Sequence, residues 1–216
     1  MTDSLAAALR DGVQSLGLDL SDDCQQQLLA YMALIQKWTR VYNLTAVRDP
    51  QEMLTHHLLD SLSAVAPLLR HTQGKPTKLL DVGSGGGLPG VVLAICRPEV
   101  QVTCVDTVGK KAAFIQQVAA TLRLPNLKGL HARVENVHEG YDVVSSRAFA
   151  SLKDFTHWSR AALAETGVWM AMKGKAPDDE IVDLPADVEV FHVEQLRVPG
   201  LDAERCMVWL RPRPSV

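Results

Sequence analysis

The sequence lacks the features of an exported, membrane-spanning or metal-binding protein. No run approaches the roughly 18 uncharged apolar residues that a transmembrane helix needs. Near the N-terminus, Asp3, Arg10 and Asp11 stand where a signal peptide would have a basic stretch followed by an apolar one. The four cysteines are scattered, without a Cys-x-x-Cys pair and without histidines at zinc-finger spacing. We therefore expect a cytoplasmic protein with reduced thiols, no membrane association and no metal.

An excess of positive charge is also missing. The 22 basic and 25 acidic side chains give a net charge of −3, whereas proteins that coat nucleic acid through bulk electrostatics are strongly basic. This charge balance argues against nucleic-acid binding over the whole surface and is compatible with a local basic patch. With 216 residues and 47% hydrophobic residues, the composition is that of an ordinary globular chain with one sizeable core. We expect a monomer made of one domain with a terminal extension.

The first seventy residues have the apolar spacing of helices. After the capping residues Ser21-Asp22-Asp23, apolar side chains recur every three or four residues. They are Leu28, Tyr31, Met32, Ile35, Trp38 and Tyr42. A shorter helix is predicted over residues 3–16 and another over 50–69, and the polar stretch 71–76 is a connector. We therefore predict that residues 1–73 form a helical N-terminal extension packed on a core domain of residues 74–216.

Beyond the connector, short apolar runs alternate with helical stretches. This alternation is typical of βαβ units and predicts an α/β fold with a doubly wound, mostly parallel sheet. Strands are predicted at 78–82, 102–105, 127–131, 141–145 and 167–172. Helices are predicted at 88–96, 110–122, 152–164 and 178–184. Two last strands, 188–196 and 206–210, have no clear helix between them, which predicts an antiparallel pair.

A glycine-rich loop follows the first predicted strand, in the segment Gly83-Ser84-Gly85-Gly86-Gly87. In an open α/β sheet this turn lies at the carboxyl edge, where ligands bind. Gly85, Gly87 and Gly90 also match the G-x-G-x-x-G spacing of dinucleotide folds, so an NAD-binding oxidoreductase is an alternative. A P-loop needs Lys and then Ser or Thr after its last glycine, but Leu88 and Pro89 follow here, which argues against nucleoside triphosphate hydrolysis.

Two acidic residues flank this loop in the sequence. Asp81 precedes the glycines and places a carboxylate beside the loop, which suits a cationic ligand and disfavours pyrophosphate. Asp106 ends the second predicted strand, so its two oxygens can accept both hydroxyls of a ribose. The pair predicts a cofactor site for a nucleoside sulfonium or, less well, for NAD.

The segment from Asp81 to Gly90, with Asp106 at the end of the next strand, is similar to the first two motifs of class I methyltransferases. Further motifs narrow the resemblance: Tyr42-Asn43-Leu44-Thr45, His57-x-x-Asp60-Ser61, Leu88-Pro89-Gly90, Ser146-Arg147-Ala148 and Lys173-Gly174. Together, over residues 28–210, they resemble the small-subunit ribosomal RNA methyltransferase G family, also called glucose-inhibited division protein B. The resemblance implies a class I S-adenosylmethionine-dependent methyltransferase with a Rossmann-like, seven-stranded sheet and a helical N-terminal extension.

The resemblance also implies a reaction and a set of site residues. The reaction is transfer of a methyl group from S-adenosylmethionine to N7 of a guanine in the 530 loop of bacterial 16S ribosomal RNA, with the RNA within a small-subunit particle. The residues implied to bind the cofactor are Asp81, Gly83, Gly85, Leu88, Asp106, Val134, Glu135 and Arg147. Among them Asp106 takes the ribose, Val134 and Glu135 flank the adenine, and Arg147 closes the site near the reacting end as the candidate catalytic residue.

The chemistry of guanine N7 agrees with what the sequence lacks. N7 carries a lone pair and no proton, so its attack on a sulfonium methyl needs no general base. The chain has no Pro-Cys nucleophile, and Ser145-Ser146-Arg147 replaces the Asn- or Asp-Pro-Pro-aromatic motif after the fourth strand. In A-form RNA, N7 lies in a deep groove that side chains do not enter, which predicts an unpaired target base.

Four residues are candidates for substrate contact: His57, Asp60, Lys173 and Arg197. His57 and Asp60 lie three apart on a predicted helix and face the same side, as a catalytic or as a structural pair. Arg147 follows an apolar strand, where an arginine needs a carboxylate or a ligand. A non-catalytic ribosome-interaction module is the second alternative function.

Overall fold

The computed structural model describes residues 2–147 and 149–214. The helices are α1 (Thr2–Ser15), α2 (Asp22–Tyr42), α3 (Pro50–Met53), α4 (Asp60–Leu62), α5 (Val65–Thr72), α6 (Gly90–Cys96), α7 (Gly109–Leu122), α8 (Leu152–Ser159) and α9 (Asp178–Val182). The strands are β1 (Thr77–Val82), β2 (Val100–Asp106), β3 (Leu127–His131), β4 (Tyr141–Arg147), β5 (Leu163–Lys173), β6 (Val188–Leu196) and β7 (Arg205–Pro212). Ala148 of the predicted motif, and Met1, Ser215 and Val216 at the ends of the predicted domains, lie outside the described residues.

The strands form one seven-stranded sheet in the order β3-β2-β1-β4-β5-β7-β6. The first five strands in that order are parallel, and β7 runs antiparallel between β5 and β6. The predicted antiparallel pairing of the last two strands is confirmed. Strand order reverses at β1, which has β2 on one side and β4 on the other, so the loops after β1 and β4 open a crevice at the carboxyl edge.

Helices cover both faces of the sheet. Buried side chains of α1, α2, α6 and α7 join one face in a single hydrophobic cluster, which contains Leu28 and Phe114. The other face packs against α8 through a second cluster around Phe155 and Trp169. The helical N-terminal region therefore packs against the same core as the sheet, because its apolar stripe has no other surface on which to be buried.

Two predicted boundaries were wrong because tertiary pairing overrides local preference. Helix 152–164 ends at Ser159, a short 3-10 turn follows, and β5 begins at Leu163, earlier than the predicted strand 167–172. Leu163 pairs with Tyr141 of β4. This pairing draws the alanine-rich segment out of the helix that its composition favours.

The predicted helix 50–69 is interrupted. Between α3 and α4 the chain forms a π-helical turn over Leu54–Leu59, and α5 begins only at Val65. A π-turn inserts an extra residue into the helical turn and frequently occurs at functional sites. It turns His57 and Asp60 toward the carboxyl edge of the sheet, where both line one cavity.

Within residues 2–147 and 149–214, no helix is long and apolar enough to cross a membrane. The same part of the chain contains no group of three or more His, Cys, Asp or Glu side chains that could hold a metal ion. All four cysteines are free thiols.

Candidate cofactor and substrate site

The loop between β1 and α6 is shaped by glycines with positive φ. Gly83, Gly85 and Gly87 have φ values of 64°, 58° and 93°, a region that L side chains rarely adopt. A Cβ atom built on Gly85 or Gly86 would meet no atom within 4 Å. The outer side of the loop is therefore open, and a ligand can approach its backbone closely.

Two side chains anchor the loop. Tyr31 of α2 is buried, and its hydroxyl donates a hydrogen bond of 2.6 Å to the carbonyl oxygen of Gly86. Asp106, at the end of β2, accepts the amide of Gly85 at Oδ2 (3.0 Å) and that of Val108 at Oδ1 (2.9 Å). Each carboxylate oxygen still has a lone pair. Asp106 is thus held in place and can accept further hydrogen bonds from a ligand.

A cavity of about 330 Å³ lies beside Asp106, and we call it the nucleoside cavity. Its walls include four predicted cofactor residues: Gly83, Asp106, Val134 and Glu135. Val134 and Glu135 lie in a 3-10 turn after β3, next to the end of β2. Phe149 and Trp158 also line this cavity. The structure therefore brings these predicted residues together around a space lined by two carboxylates and by apolar and aromatic side chains.

A second cavity of about 240 Å³, the loop cavity, lies on the other side of Gly83. Its walls include the predicted residues Gly85, Leu88, Arg147 and His57. The nucleoside cavity and the loop cavity share Gly83 as a wall residue. One elongated ligand can therefore follow the glycine loop from one cavity into the other.

A third cavity of about 400 Å³, the target cavity, adjoins the other two. It shares Arg147 and His57 with the loop cavity and Phe149 with the nucleoside cavity. Lys173 and Asp60 also line it. Two ligands, one in the first two cavities and one in the third, would meet at Arg147 and His57.

Arg147 and Asp60 form an ion pair at this junction. Arg147 Nη1 lies 2.6 Å from Asp60 Oδ2 and donates a second hydrogen bond of 2.9 Å to the carbonyl oxygen of His56. The Asp60 side chain is 3% exposed, so its charge needs such a partner. His57 is buried as well, and its Nε2 lies 2.7 Å from Thr45 Oγ1. Burial lowers the pKa of His57, which favours the neutral imidazole.

Comparison with known proteins decides the family. A family model described as rRNA small subunit methyltransferase G matches residues 24–208. The chain belongs to this family. A protein of Paracidovorax citrulli named ribosomal RNA small subunit methyltransferase G is 66% identical, over 98% of this chain and 91% of that protein. One of the same name from Acidovorax ebreus is 69% identical, over 97% of this chain and 96% of that protein.

Solved structures agree on the fold. TrmN from Thermus thermophilus superposes with a TM-score of 0.55 at 17% identity, over 74% of this chain and 53% of that chain. A mutant of MtNAS in complex with S-adenosylmethionine gives a TM-score of 0.61 at 13% identity, over 88% of this chain and 76% of that chain. The predictions of a class I methyltransferase fold and of this family are confirmed. The alternative of an NAD-binding oxidoreductase is wrong.

The site residues fit S-adenosylmethionine. The open side of Gly85 and Gly86 leaves room for a ligand against the loop. Asp106 offers lone pairs to ribose hydroxyls, and the nucleoside cavity continues past Gly83 into the loop cavity. The two cavities together form an elongated space. A nucleoside with a long substituent on its ribose would fill this space, whereas a compact ligand would not.

Asp81 lies beneath the loop and lines none of these three cavities. It is fully buried, and it accepts hydrogen bonds from the Gly90 amide (3.0 Å) and from Ser145 Oγ (2.9 Å). These contacts tie the start of α6 to β1 and β4. Burial raises the pKa of Asp81 to about 6. Its predicted contact with the cofactor stays a prediction, and its observed contacts support the loop.

The raised pKa of Asp81 predicts a dependence of stability on pH. The buried neutral form is stabilising below about pH 4, and this contribution is lost as pH rises through about 6, because ionisation then occurs in a dry site. In Asp81→Asn the amide can still accept from Gly90 and can donate to Ser145, without ionising. We expect the variant to gain free energy of unfolding relative to the wild type, by up to about 3 kcal/mol, between pH 4 and 6. Urea unfolding across this range measures the difference, and parallel curves for the two proteins would contradict the assignment.

The other two predicted substrate residues are placed differently. Lys173, at the end of β5, lines the target cavity and pairs with Glu180 Oε2 at 2.8 Å. Arg197 is exposed just after β6, the strand at the edge of the sheet, and lines none of the three cavities. The structure does not bring Arg197 together with the other site residues, and its contact with RNA stays a prediction.

The cavity walls also contain residues that were not among the predicted site residues, including Phe149, Trp158 and Arg205. Phe149 packs on Gly83 so closely that a Cβ there would lie 2.6 Å from its ring. Trp158 lines the nucleoside cavity and is 37% exposed. Arg205 lines the target cavity from the start of β7. Phe149 could have been suspected from its position after the Ser146-Arg147-Ala148 motif, whereas Arg205 carries no sequence signal.

Proposed function

We propose that this chain transfers the methyl group of S-adenosylmethionine to N7 of an unpaired guanine in the 530 loop of 16S ribosomal RNA. The observation that carries the proposal is the junction of the loop and target cavities, where a methyl donor in the first two cavities would meet an acceptor in the third at Arg147 and His57. His57 Nε2 lies 2.7 Å from Thr45 Oγ1, and its Nδ1 has no hydrogen-bond partner among the described residues. Asp60 is held between two guanidinium groups. Asp60 is therefore not free to act as a base, and guanine N7, which has no proton to lose, needs none.

Different residues of the three cavities would contact different parts of the two ligands. The bound cofactor supplies an electrophilic methyl group. Asp106 would hold its ribose, Val134 and Glu135 its adenine, and Gly83, Gly85 and Leu88 its remaining length. Arg147 would orient the reacting ends of both ligands from the junction, while Phe149 and Met172 offer apolar surface to the guanine ring in the target cavity. Positioning of this kind accounts for up to about 7 to 11 kcal/mol of a reaction barrier.

The helical region of residues 1–73 is proposed to complete the site of the methyltransferase domain 74–216. Tyr31 contacts the glycine loop, and Thr45, His57 and Asp60 form part of the cavity walls. The proposed working unit is a monomer. The proposed place of action is the cytoplasm, where small subunits are assembled.

The test is a methylation assay with tritiated S-adenosylmethionine. The substrates are small subunits, and deproteinised 16S RNA, from a bacterium that lacks its own member of the family. We expect label in 7-methylguanosine after nuclease digestion and mass spectrometry, with subunits preferred over free RNA. Label in another nucleoside would refute the N7 assignment. Binding of subunits without transfer of label would support the non-catalytic ribosome-interaction module.

A further inference from the structure

Arg205 approaches the target cavity from a part of the chain far from the other site residues. Its Nε lies 2.9 Å from Asp60 Oδ1, and its Nη1 donates to the carbonyl oxygen of Glu204 at 2.8 Å. The side chain is 26% exposed. Arg205 lines the target cavity but neither the nucleoside nor the loop cavity. Its position therefore matches a contact with the methyl acceptor, not with the cofactor.

The cluster of Arg147, Asp60 and Arg205 carries more positive than negative charge. Asp60 places one oxygen on each arginine, so a single carboxylate serves two guanidinium groups. Lys173, the third cation of the cavity, has its own partner in Glu180. One positive charge of the three-residue cluster is left in a partly buried position, where an ion needs a counter-charge. An anionic ligand in the target cavity would supply it.

Guanidinium geometry identifies the kind of anion. The contacts with Asp60 and Glu204 use Nε and Nη1 of Arg205, which leaves Nη2 as a donor within the described part of the chain. Arginine binds phosphate oxygens through such fixed, planar donors. The methyl acceptor proposed above is a nucleotide within RNA, and its backbone offers a phosphate on each side of the base. Asp60, because it holds Nε, prevents the guanidinium plane from rotating.

We propose that Arg205 binds a backbone phosphate of the RNA strand that enters the target cavity, and that Asp60 is the positioning residue that orients it. This inference rests on the proposed function for the identity of the acceptor. It adds an RNA contact whose effect is electrostatic and independent of the methyl donor.

The experiment measures equilibrium binding of small subunits as a function of salt, with S-adenosylhomocysteine present. Arg205→Gln removes the charge and keeps an amide that can donate to Asp60, whereas Arg205→Lys keeps the charge. Arg211→Gln is the matched control. Arg211 lies on the same strand about 20 Å away, is exposed, and pairs with Glu189.

For Arg205→Gln we expect binding about tenfold weaker at low salt, and a slope of log affinity against log salt that is smaller by about 0.7 to 0.9, the value for one lost phosphate contact. Arg205→Lys should keep the wild-type slope, and Arg211→Gln should match the wild type. A purely structural role for Arg205 would not change the slope, so an unchanged slope in Arg205→Gln overturns the proposal.

Two further readouts separate the possible failures. Calorimetry with S-adenosylhomocysteine should give the same affinity for Arg205→Gln and the wild type; a lower affinity would show that Arg205 serves the cofactor and would overturn the proposal. Because binding is measured without turnover, the result does not depend on methylation. In one outcome the methylation assay gives no 7-methylguanosine while Arg205→Gln still shows the smaller salt slope. That combination would refute the proposed reaction and would leave the phosphate contact supported.

Discussion

Replacing Asp106 by alanine is expected to weaken the binding of S-adenosylhomocysteine by roughly 100-fold, since two hydrogen bonds to a charged group contribute about 3 kcal/mol together. The same carboxylate holds the amides of Gly85 and Val108. Its loss therefore also releases the loop that the cofactor must contact. Isothermal calorimetry measures the affinity, and Trp158, which lines the nucleoside cavity, provides an independent fluorescence signal.

The control for this prediction is Asp142→Ala. Asp142 is an exposed acid near the start of β4, at the opposite edge of the sheet, where it accepts the amide of Lys78. We expect its replacement to leave cofactor affinity unchanged. Equilibrium binding of small subunits by Asp106→Ala should also be unchanged when no cofactor is present. Wild-type affinity of Asp106→Ala for S-adenosylhomocysteine would remove Asp106 from the ribose site.

Replacing Arg147 by alanine is expected to lower the rate of methyl transfer by roughly 100-fold or more, the usual effect of removing a group that positions and stabilises reacting charge. Arg147 lies where the loop and target cavities meet, so its loss affects the alignment of donor and acceptor. Single-turnover assays with saturating cofactor and subunits measure the chemical step separately from binding.

A second effect of Arg147→Ala must be separated from the first. The substitution leaves the buried Asp60 with Arg205 as its remaining partner, and a buried charge that loses a partner is destabilising. The double variant Asp60→Asn/Arg147→Ala removes the buried charge that has lost this partner. If Arg147 acts on the ligands, the double variant stays as slow as Arg147→Ala. Recovery of the wild-type rate would show that Arg147 acts only as the counter-ion of Asp60.

Local sequence patterns were sufficient to predict the strands of the sheet and the part of the site that surrounds the glycine loop. The alternation of apolar runs and helices predicted all seven strands, and the glycine loop with Asp106 predicted the nucleoside cavity. Val134, Glu135 and Arg147 came from resemblance, and the structure places all three on cavity walls. The π-turn at Leu54–Leu59 was not predicted, because nothing in its apolar spacing distinguishes it from an ordinary helix.

The sequence by itself determined the elements and the loop, because periodicity, capping and glycine content depend on residues that are neighbours along the chain. The tertiary structure alone decided the position of β7 between β5 and β6, the burial of Asp81 and the meeting of Asp60 with Arg205. These features depend on how separate elements pack: the hydrogen bond between Asp60 and Arg205 joins residues 145 apart. A carboxylate on a helix becomes the partner of two arginines only when three distant segments reach the same edge of the sheet.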